Sequence, residues 1–278
     1  MREISFVKGH GTLNDFVLLA DPDRLQHLSG ADVALLCDRR AGVGGDGILR
    51  AVRAGHLPDW DGDPDTWFMD YRNADGSLAE MCGNGLRVFV RYLLAEGLAN
   101  SERVTVLTRA GLRTGEVLPD GRIAVTMGAV AVGGPVEVDV AGRTLAATAV
   151  DVGNPHAVCV LPEGEELAGF DLATQPTWRP ADAFPAGVNV ELVERVGPGR
   201  LRMRVHERGS GETWSCGTGV VAAAAVAGEG WADGHAVRVE VPGGSLEVRL
   251  LDGEAVLTGP AVLVARGTID LDAAGGER

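Results

Sequence analysis

Short apolar runs separated by glycine-rich turns predict a chain built mainly from β-strands. Runs that alternate, or that are rich in β-branched residues, predict strands at 104–107, 122–125, 201–205, 237–241 and 246–250. The 40 glycines fit many tight turns better than a bundle of helices. The fold class that this pattern favours is a mixed one, α and β, with few helices.

Two segments have the composition of helices instead. They cover 86–96 and 220–227, and each is followed by a glycine suited to a helix end, Gly97 and Gly228. The second segment is apolar on nearly every face. Because such a helix must be covered by other structure, we expect a central helix wrapped by sheet in each half of the chain.

The chain also repeats itself. Three motifs recur in the same order: a strand that begins at Asn14 or Asn154, an Ala-Gly-Val triplet at 41 or 186, and Cys-Gly-x-Gly at Cys82 or Cys216. Each Cys-Gly-x-Gly motif opens one of the segments expected to be helical. The repeated order predicts two related halves.

Composition excludes several classes of partner. Against 25 basic residues stand 39 acidic ones, a formal net charge of −14, so nucleic acid and anionic membranes would be repelled on average. The first 16 residues show no signal-peptide pattern, and the longest small apolar run, 220–227, is too short to span a bilayer. We therefore expect a cytoplasmic protein with its four cysteines reduced.

Cys82 and Cys216 have a sequence context that favours reactivity. A thiol at the start of a helix lies beside unpaired N–H groups and the positive end of the helix dipole, and both favour the thiolate. The glycines that follow let backbone N–H groups close around an anion such as an α-carboxylate. A free cysteine is more often a small buried apolar residue, and that interpretation suits Cys37 and Cys159, which lie in apolar stretches.

Two such thiols suit a reaction that inverts a carbon centre. If the halves pack face to face, one thiol can remove a proton from a carbon acid and the other can supply one on the opposite side. Pyridoxal phosphate would need a lysine, and Lys8, the sole lysine, has no phosphate-binding glycine loop nearby. The six histidines show no metal-ligand spacing. We therefore expect an epimerase that uses neither a cofactor nor a metal.

Motifs spread in order along nearly the whole chain resemble those of the diaminopimelate epimerase family. They are Lys-Gly-His-Gly-Thr-Leu-Asn-Asp-Phe at 8–16, Asn-Ala-Asp-Gly-Ser at 73–77, Met-Cys-Gly-Asn-Gly at 81–85, Gly-Asn-Pro-His at 153–156, Val-Asn-Val at 188–190, Glu-Arg-Gly at 207–209 and Cys-Gly-Thr-Gly at 216–219. The resemblance implies conversion of LL- to meso-2,6-diaminopimelate, in the bacterial route to lysine and the cross-linked cell wall. It also implies a homodimer.

The fold implied by the resemblance has two pseudo-symmetric α/β domains. Each would be a central helix wrapped by a mostly antiparallel cup of β-strands. The first would cover 1–118 and carry Cys82, and a C-terminal strand within 264–278 would complete it. The second would cover 119–263 and carry Cys216.

Carried over by position, the resemblance makes Cys82 and Cys216 the acid and the base. Backbone N–H groups of four residues would grip the reacting carboxylate: Gly83, Asn84, Gly217 and Thr218. Six further side chains would hold the substrate: Asn14, Asn73, Asn154, Asn189, Glu207 and Arg208. His156 and Glu207 would lie near the thiols and help to set their protonation. Without the shared register, such asparagines are more often turn residues, and an adjacent Glu and Arg are a surface ion pair.

Two positions depart from the family pattern. Gly47 stands where many members carry a glutamine that contacts the substrate, and Leu13 stands where glycine is usual. These departures bear on how the distal end of the substrate is recognised and leave the reaction unaffected.

Two other functions fit parts of the pattern. A proline or hydroxyproline racemase would share the architecture and the two thiols, but its first motif usually carries histidine where this chain has Asn84. Arg208 also offers a fork for a second carboxylate, which proline lacks. A binding or redox protein would use the thiols as a thiol–disulfide couple, whereas here oxidation would close the site.

Overall fold

The chain folds as a mixed α+β protein in which strands predominate. Residues 2–275 are described by a computed structural model, and the mixed class expected from the sequence is confirmed. The strands in chain order are β1 (Glu3–Gly11), β2 (Asn14–Ala20), β3 (Gly47–Arg53), β4 (Trp67–Asn73), β5 (Arg103–Thr108), β6 (Gly111–Val117), β7 (Ile123–Gly128), β8 (Ala131–Val140), β9 (Arg143–Asp151), β10 (Pro155–Val160), β11 (Thr177–Arg179), β12 (Asn189–Gly197), β13 (Arg200–Glu207), β14 (Gly211–Thr213), β15 (Val237–Val241), β16 (Gly244–Leu251), β17 (Glu254–Gly259) and β18 (Val262–Asp270).

Helices are fewer. The α-helices are α1 (Gly30–Cys37), α2 (Gly83–Ala95), α3 (Gly217–Ala227) and α4 (Leu271–Ala274), and short 3-10 turns lie at Ala54–His56, Leu167–Gly169, Ala181–Ala183 and Trp231–Asp233. The five runs expected to be strands fall in β5, β7, β13, β15 and β16, with residue 122 directly before β7. No helix within residues 2–275 combines the length and the apolar character needed to cross a membrane.

The chain divides into two units. One runs to Val125 and resumes at Pro260, and the other is Thr126–Gly259. The divisions expected from the sequence, after 118 and 263, differ from these. The first differs because β7 pairs with β6 and so keeps residues up to 125 in the first unit. The second differs because β18 pairs with β1 from Val262, opposite His10, and so keeps residues 262 and 263 in the first unit. Of the segment 264–278, residues 276–278 lie outside the described part of the chain, as does residue 1.

In the first unit the paired strands follow the order β18, β1, β2, β3, β4, β5, β6, β7. The pairs β2–β3 and β4–β5 are parallel, and the others are antiparallel. Strand β18, near the C-terminal end, lies beside β1 from Glu3 to His10. The opposite ends of the chain therefore share one sheet.

In the second unit the order is β11, β8, β9, β10, β12, β13, β15, β16, β17, and β14 is a short hairpin partner of β13. The six successive pairs from β9 to β17 are antiparallel, parallel, antiparallel, parallel, antiparallel and antiparallel. The six successive pairs from β1 to β7 have the same directions in the same order. Strand β18 pairs with β1, and β8 pairs with β9, and both pairs are antiparallel, so these outer strands also correspond. The two units therefore have the same strand topology.

Each unit packs its main helix against its own strands. Helix α2 lies against β1, β2, β3, β6 and β18, and α3 lies against β9, β10, β12, β13 and β15 to β17. Gly115 of β6 permits a close approach to α2, because a Cβ there would lie 2.4 Å from the side chain of Val90. In α3 every residue from Gly217 to Ala224 is buried, so the apolar helix is covered on all sides, as expected.

Helix α1 was not predicted from the sequence. It starts with a capping box, in which the Ser29 hydroxyl accepts the Asp32 N–H and the Asp32 carboxylate accepts the Ser29 N–H. Val33, Leu36 and Cys37 pack in an apolar cluster with residues of β1, β2 and β3. The Ser-x-x-Asp pattern before an apolar run was the signal that could have revealed it.

Candidate active site

Cys82 caps the N-terminus of α2. Its Sγ accepts a hydrogen bond from the Gly85 N–H at 3.3 Å, the role that a serine or aspartate oxygen usually has at a helix start. The side chain is half-buried. Because the first turn of a helix carries partial positive charge, this position favours a negatively charged sulfur.

Two asparagines meet beside Cys82. The Cys82 thiol donates to Asn14 Oδ1 at 3.6 Å, and Asn84 Nδ2 donates to the same oxygen at 3.3 Å. On its other side Asn14 Nδ2 donates to Asp46 at 2.7 Å. The structure thus brings together Cys82, Asn14 and Asn84 in the first unit.

The turn that precedes Asn14 has an unusual backbone. Thr12 and Leu13 have φ angles of 50° and 62°, in the left-handed region that residues with side chains seldom adopt. They form the two-residue loop of the β1–β2 hairpin, whose preferred turn needs positive φ at both positions. Glycine, which the resemblance makes usual at position 13, would adopt this backbone without strain.

Asn73 stands apart from the Cys82 group. It ends β4, its Nδ2 donates to Ser77 Oγ at 3.0 Å, and within residues 2–275 it makes no hydrogen bond to Cys82, Asn14 or Asn84. The first unit therefore places three of its predicted side chains together and leaves this one at the adjoining loop.

Gly47, where a glutamine is usual, lies opposite Asn73 in the β3–β4 pair. A Cβ at Gly47 would lie 2.5 Å from the Arg72 carbonyl oxygen and 2.9 Å from the Tyr71 ring. A glutamine would therefore require the backbone to shift. The close approach of β4 accounts for glycine at this position.

Cys216 caps α3 in the same way. Its Sγ accepts the Gly219 N–H at 3.3 Å and lies 3.4 Å from Thr218 Oγ1. Unlike Cys82 it is buried, with 5% of its surface exposed. Gly219 also admits a carboxylate against the helix, because a Cβ there would lie 2.6 Å from Glu191 Oε1.

Within the second unit, a series of polar side chains runs from Thr218 through Asn154 and His156 to Glu191. Asn154 Nδ2 donates to Thr218 Oγ1 at 3.3 Å, and Asn154 Oδ1 lies 3.0 Å from His156 Nε2. His156 Nδ1 lies 2.6 Å from Glu191 Oε1, and both side chains are fully buried. Glu191 Oε2 has no hydrogen-bond partner in the described part of the chain.

The charges around Cys216 favour its protonated form. Burial, followed by the carboxylates of Glu207 and Glu191, raises the pKa of Cys216 well above its usual range. Burial also raises the pKa of Glu207, while hydrogen bonds with Thr213 and Cys216 lower it. Cys216 is therefore expected to be a thiol when no substrate is bound.

The Asn189 side chain is hydrogen-bonded to the backbone of Arg208. Asn189 Oδ1 accepts the Arg208 N–H at 2.9 Å, and Asn189 Nδ2 donates to the Pro155 carbonyl at 3.1 Å. The exposed guanidinium of Arg208 donates to the Ala186 carbonyl at 3.2 Å. Among residues 2–275 no carboxylate pairs with it, so its fork can accept one from a ligand.

We expect Glu207→Gln to make Cys216 reactive at lower pH. A carboxylate beside a thiol disfavours the thiolate, and glutamine keeps the shape without the charge, so the pKa of Cys216 should fall in the variant. The rate of Cys216 alkylation against pH, followed by peptide mass, measures the shift.

Glu212→Gln is the matched control, because Glu212 lies in the adjoining β14 and forms a surface ion pair with Arg204 at 2.7 Å. An alkylation profile that does not move in Glu207→Gln, or that moves equally in both variants, would contradict this prediction.

The other two cysteines are core residues. Cys37 and Cys159 are buried, and burial raises the pKa of each to about 12. As for a metal, no group of three or more His, Cys, Asp or Glu side chains suited to an ion occurs in the part of the chain that the structure describes. Lys8 is engaged in an ion pair with Asp15 at 2.6 Å.

Comparison with known proteins identifies the family. The sequence model for diaminopimelate epimerase matches residues 6–132 and 148–264. The chain belongs to the diaminopimelate epimerase family. Diaminopimelate epimerase of Thermobifida fusca is 51% identical over 274 residues, which cover 96% of this chain and 98% of that protein. Diaminopimelate epimerase of Streptomyces coelicolor is 50% identical over 278 residues, 96% of each chain.

A solved structure shares the fold of this diaminopimelate epimerase family member. It is a predicted epimerase from Pseudomonas aeruginosa, with a TM-score of 0.67 over 96% of this chain and 99% of that one. Their sequences are 13% identical, so the likeness concerns the fold alone.

Two buried charged residues of this diaminopimelate epimerase family member were missed in the sequence analysis. Glu191 lies within the apolar strand β12, beside His156, and Arg87 lies within α2 between Leu86 and Val88. A buried charge requires a partner, so a charged residue inside an apolar run was the available signal.

Proposed function

We propose that this protein interconverts LL- and meso-2,6-diaminopimelate without a cofactor, and that Cys82 and Cys216 transfer the protons. The observation that carries the proposal is the equal geometry of the two thiols, each of which caps a buried helix and accepts the N–H three residues on at 3.3 Å. Relatives at 51% and 50% identity that are named diaminopimelate epimerase support the substrate.

In the proposed reaction the thiolate of one cysteine removes the α-proton, and the thiol of the other donates a proton to the opposite face of the same carbon. One C–H bond breaks with its electron pair left on the α-carbon and its carboxylate, and one C–H bond forms from that pair. The substrate keeps its formula, and thiol and thiolate exchange roles. The mechanism requires both sulfurs to reach one α-carbon.

The electrostatics of the two units support different roles for the two thiols before substrate binds. Cys216 is held as the acid by burial and by Glu207 and Glu191. Cys82 is only half-buried, whereas Cys216 is 5% exposed, so burial disfavours a thiolate less at Cys82. We propose that Cys82 ionises at lower pH than Cys216 and acts as the base once it has lost the proton that it donates to Asn14 Oδ1.

The proposed substrate contacts follow from the two helix starts. First-turn N–H groups of Gly83, Asn84, Gly217 and Thr218 would bind the reacting carboxylate, where helix dipoles stabilise the charge that develops in the transition state. The remaining contacts would come from side chains that surround the thiols or lie at the adjoining loops: Asn14, Asn73, Asn154, Asn189, Glu207 and Arg208.

The test is incubation of LL-diaminopimelate with the protein in D₂O, followed by chiral separation and mass spectrometry. We expect meso product with one deuterium at the inverted α-carbon, because the incoming proton comes from a group equilibrated with solvent. Inversion of L-proline in preference to diaminopimelate would replace this proposal with the racemase hypothesis, which leaves the Arg208 fork without a second carboxylate to bind.

We predict that turnover does not depend on pyridoxal phosphate or on a metal ion. The proposed acid and base are protein thiols, so nothing in the reaction needs an electron sink or a Lewis acid. Activity should survive dialysis against EDTA and treatment with hydroxylamine. Loss of activity that added metal or cofactor restores would contradict the prediction.

We also propose a homodimer in the cytoplasm. The exposed apolar side chains Val262 and Val264 on β18, 42% and 55% exposed, are consistent with a surface covered by a second copy. A reducing compartment keeps both proposed thiols available. Sedimentation of the purified protein would test the dimer.

A further inference from the structure

Arg87 is a fully buried cation to which the described residues offer no carboxylate partner. Its side chain is 0% exposed, and within residues 2–275 its guanidinium donates only to uncharged oxygens. These are Gly83 O at 3.2 Å, Asn84 Oδ1 at 3.0 Å, Thr12 Oγ1 at 3.3 Å and Pro260 O at 3.3 Å. Buried arginines are ordinarily paired with an anion, so this charge remains to be balanced.

The contacts of Arg87 lie at the helix turn that Cys82 caps. Gly83, whose carbonyl Arg87 binds, is the residue directly after the cysteine. Burial lowers the pKa of Arg87 to about 10, and negative charge at Cys82 raises it, so the two groups interact electrostatically. A thiolate at Cys82 is the anion that would balance the guanidinium.

Arg87 also determines which way two amides point. A guanidinium only donates, so the Asn84 oxygen must face Arg87 and the Asn84 nitrogen must face Asn14. At the other end the Asp46 carboxylate only accepts, so the Asn14 nitrogen must face Asp46. Opposite charges at the two ends therefore fix both amides around the Cys82 sulfur.

Other charged groups near this end of α2 balance one another. Asp15 pairs with Lys8 at 2.6 Å and with Arg39 at 2.7 Å, and Arg39 also pairs with Asp46 at 2.8 Å. The charged and titratable residues of β1, β2 and the segment between α1 and β3 are Glu3, Lys8, His10, Asp15, Asp38, Arg39, Arg40 and Asp46. On β18, Arg266 pairs with Glu96 at the far end of the helix, at 3.0 Å. None of these leaves a cation equivalent to Arg87.

We propose that Arg87 is a positioning residue for proton transfer. It supplies the positive charge that balances a thiolate at Cys82, and it holds Asn84 and Asn14 in the orientation in which Asn14 Oδ1 accepts from the protonated thiol. Thr12, at φ 50°, is tied to the same guanidinium, so Arg87 also steadies the strained turn before Asn14. The inference deepens the proposed function, since it concerns how Cys82 serves as the base.

Arg87→Gln and Arg87→Lys separate the two roles. Glutamine keeps a donor for Asn84 and Thr12 but removes the charge, whereas lysine keeps the charge and loses the fork. Arg91→Gln is the control, because Arg91 lies on the same helix and its guanidinium binds the Gly121 carbonyl, away from Cys82 in the chain. The measurement is the alkylation rate of Cys82 and of Cys216 against pH, followed by peptide mass, together with kcat and KM for diaminopimelate.

For Arg87→Gln we expect Cys82 alkylation at neutral pH to slow by about tenfold or more, with its profile moved to higher pH and that of Cys216 unchanged, since an adjacent opposite charge shifts a titration by about one unit or more. Arg87→Lys should restore the Cys82 profile while kcat stays low and KM changes little. A Cys82 profile that is the same in Arg87→Gln and in the unmodified protein would overturn the proposal.

The unmodified protein supplies a test that needs no variant to fold. Cys82 should become reactive at lower pH than Cys216, and the reverse order would overturn the proposal. Because alkylation is measured without substrate, a protein that fails to epimerise diaminopimelate but shows these profiles would refute the proposed function and leave the assignment of Arg87 intact.

Discussion

Cys82→Ala and Cys216→Ala are each expected to abolish epimerisation while the fold survives. Inversion needs a base on one face of the α-carbon and an acid on the other, so a single remaining thiol can at most exchange the proton on its own face. A positioned acid or base contributes roughly 10²- to 10⁴-fold, and we expect losses at the upper end of that range.

Loss of the helix cap should not unfold either variant. Alanine removes the sulfur that accepts the Gly85 or Gly219 N–H, and a lost cap costs about 0.5–2 kcal/mol against a typical domain stability of about 5–15 kcal/mol. Circular dichroism and thermal melting check the fold, and chiral analysis in D₂O separates inversion from exchange without inversion.

Cys159→Ala is the matched control. Cys159 is also a buried thiol of the second unit, but it packs in the apolar cluster that includes Ala157 and Leu192 and takes no part in the proposed chemistry. The activity of the Cys159→Ala variant per folded molecule should be normal. Near-normal turnover of either Cys82→Ala or Cys216→Ala would make the two-thiol mechanism wrong.

Arg208 is expected to distinguish diaminopimelate from amino acids with one carboxylate. Its planar guanidinium can bind a carboxylate through two parallel hydrogen bonds, and in the described residues it has no acidic partner to compete. Gly187 is part of the arrangement, because a Cβ there would lie 2.9 Å from the Arg208 side chain. A hydrogen bond to a charged group contributes about 1.5–3 kcal/mol, so we expect Arg208→Met to lower kcat/KM by about 10- to 100-fold.

The comparison that tests this uses three proteins and three substrates. Arg208→Lys keeps the charge without the fork and should fall between the unmodified protein and Arg208→Met on diaminopimelate. L-lysine and L-proline, which lack a second carboxylate, should be poor substrates of all three, and thiol alkylation should be unchanged. Arg202→Met is the control, since Arg202 is exposed on β13, the strand that ends directly before Arg208, and pairs with Glu194 at 3.2 Å. Normal turnover by Arg208→Met would show that the distal carboxylate is recognised elsewhere.

Local patterns were sufficient for the elements that carry the thiols. Strand periodicity and the repeated Cys-Gly-x-Gly motif predict where β5, β13, β15 and β16 lie and that a helix opens at Cys82 and at Cys216. Helix caps and strand alternation depend on residues a few positions apart, so the sequence holds that information directly. The limit of the same method is α1, whose eight residues are too few for a clear helical period.

Leu13 and Gly47 show how local and tertiary causes divide at departures from the family pattern. The positive φ of Leu13 comes from the two-residue hairpin loop between β1 and β2, a local constraint that the sequence could have indicated. Gly47 depends on its distance from Arg72 and Tyr71 of the neighbouring strand, and only the paired strands reveal that there is no room for a side chain.

By itself, the sequence determined the mixed class, the repeat, the family and the two thiols at helix starts, because each of these is written in composition, spacing or short motifs. Only the tertiary structure decided the surroundings that set the charge of each thiol. Arg87 meets Thr12 across 75 positions, and His156 meets Glu191 across 35. Such contacts follow from which strands pair and how deeply each group is buried. Burial greatly raises the free-energy cost of a charge, and so decides the protonation state of each group.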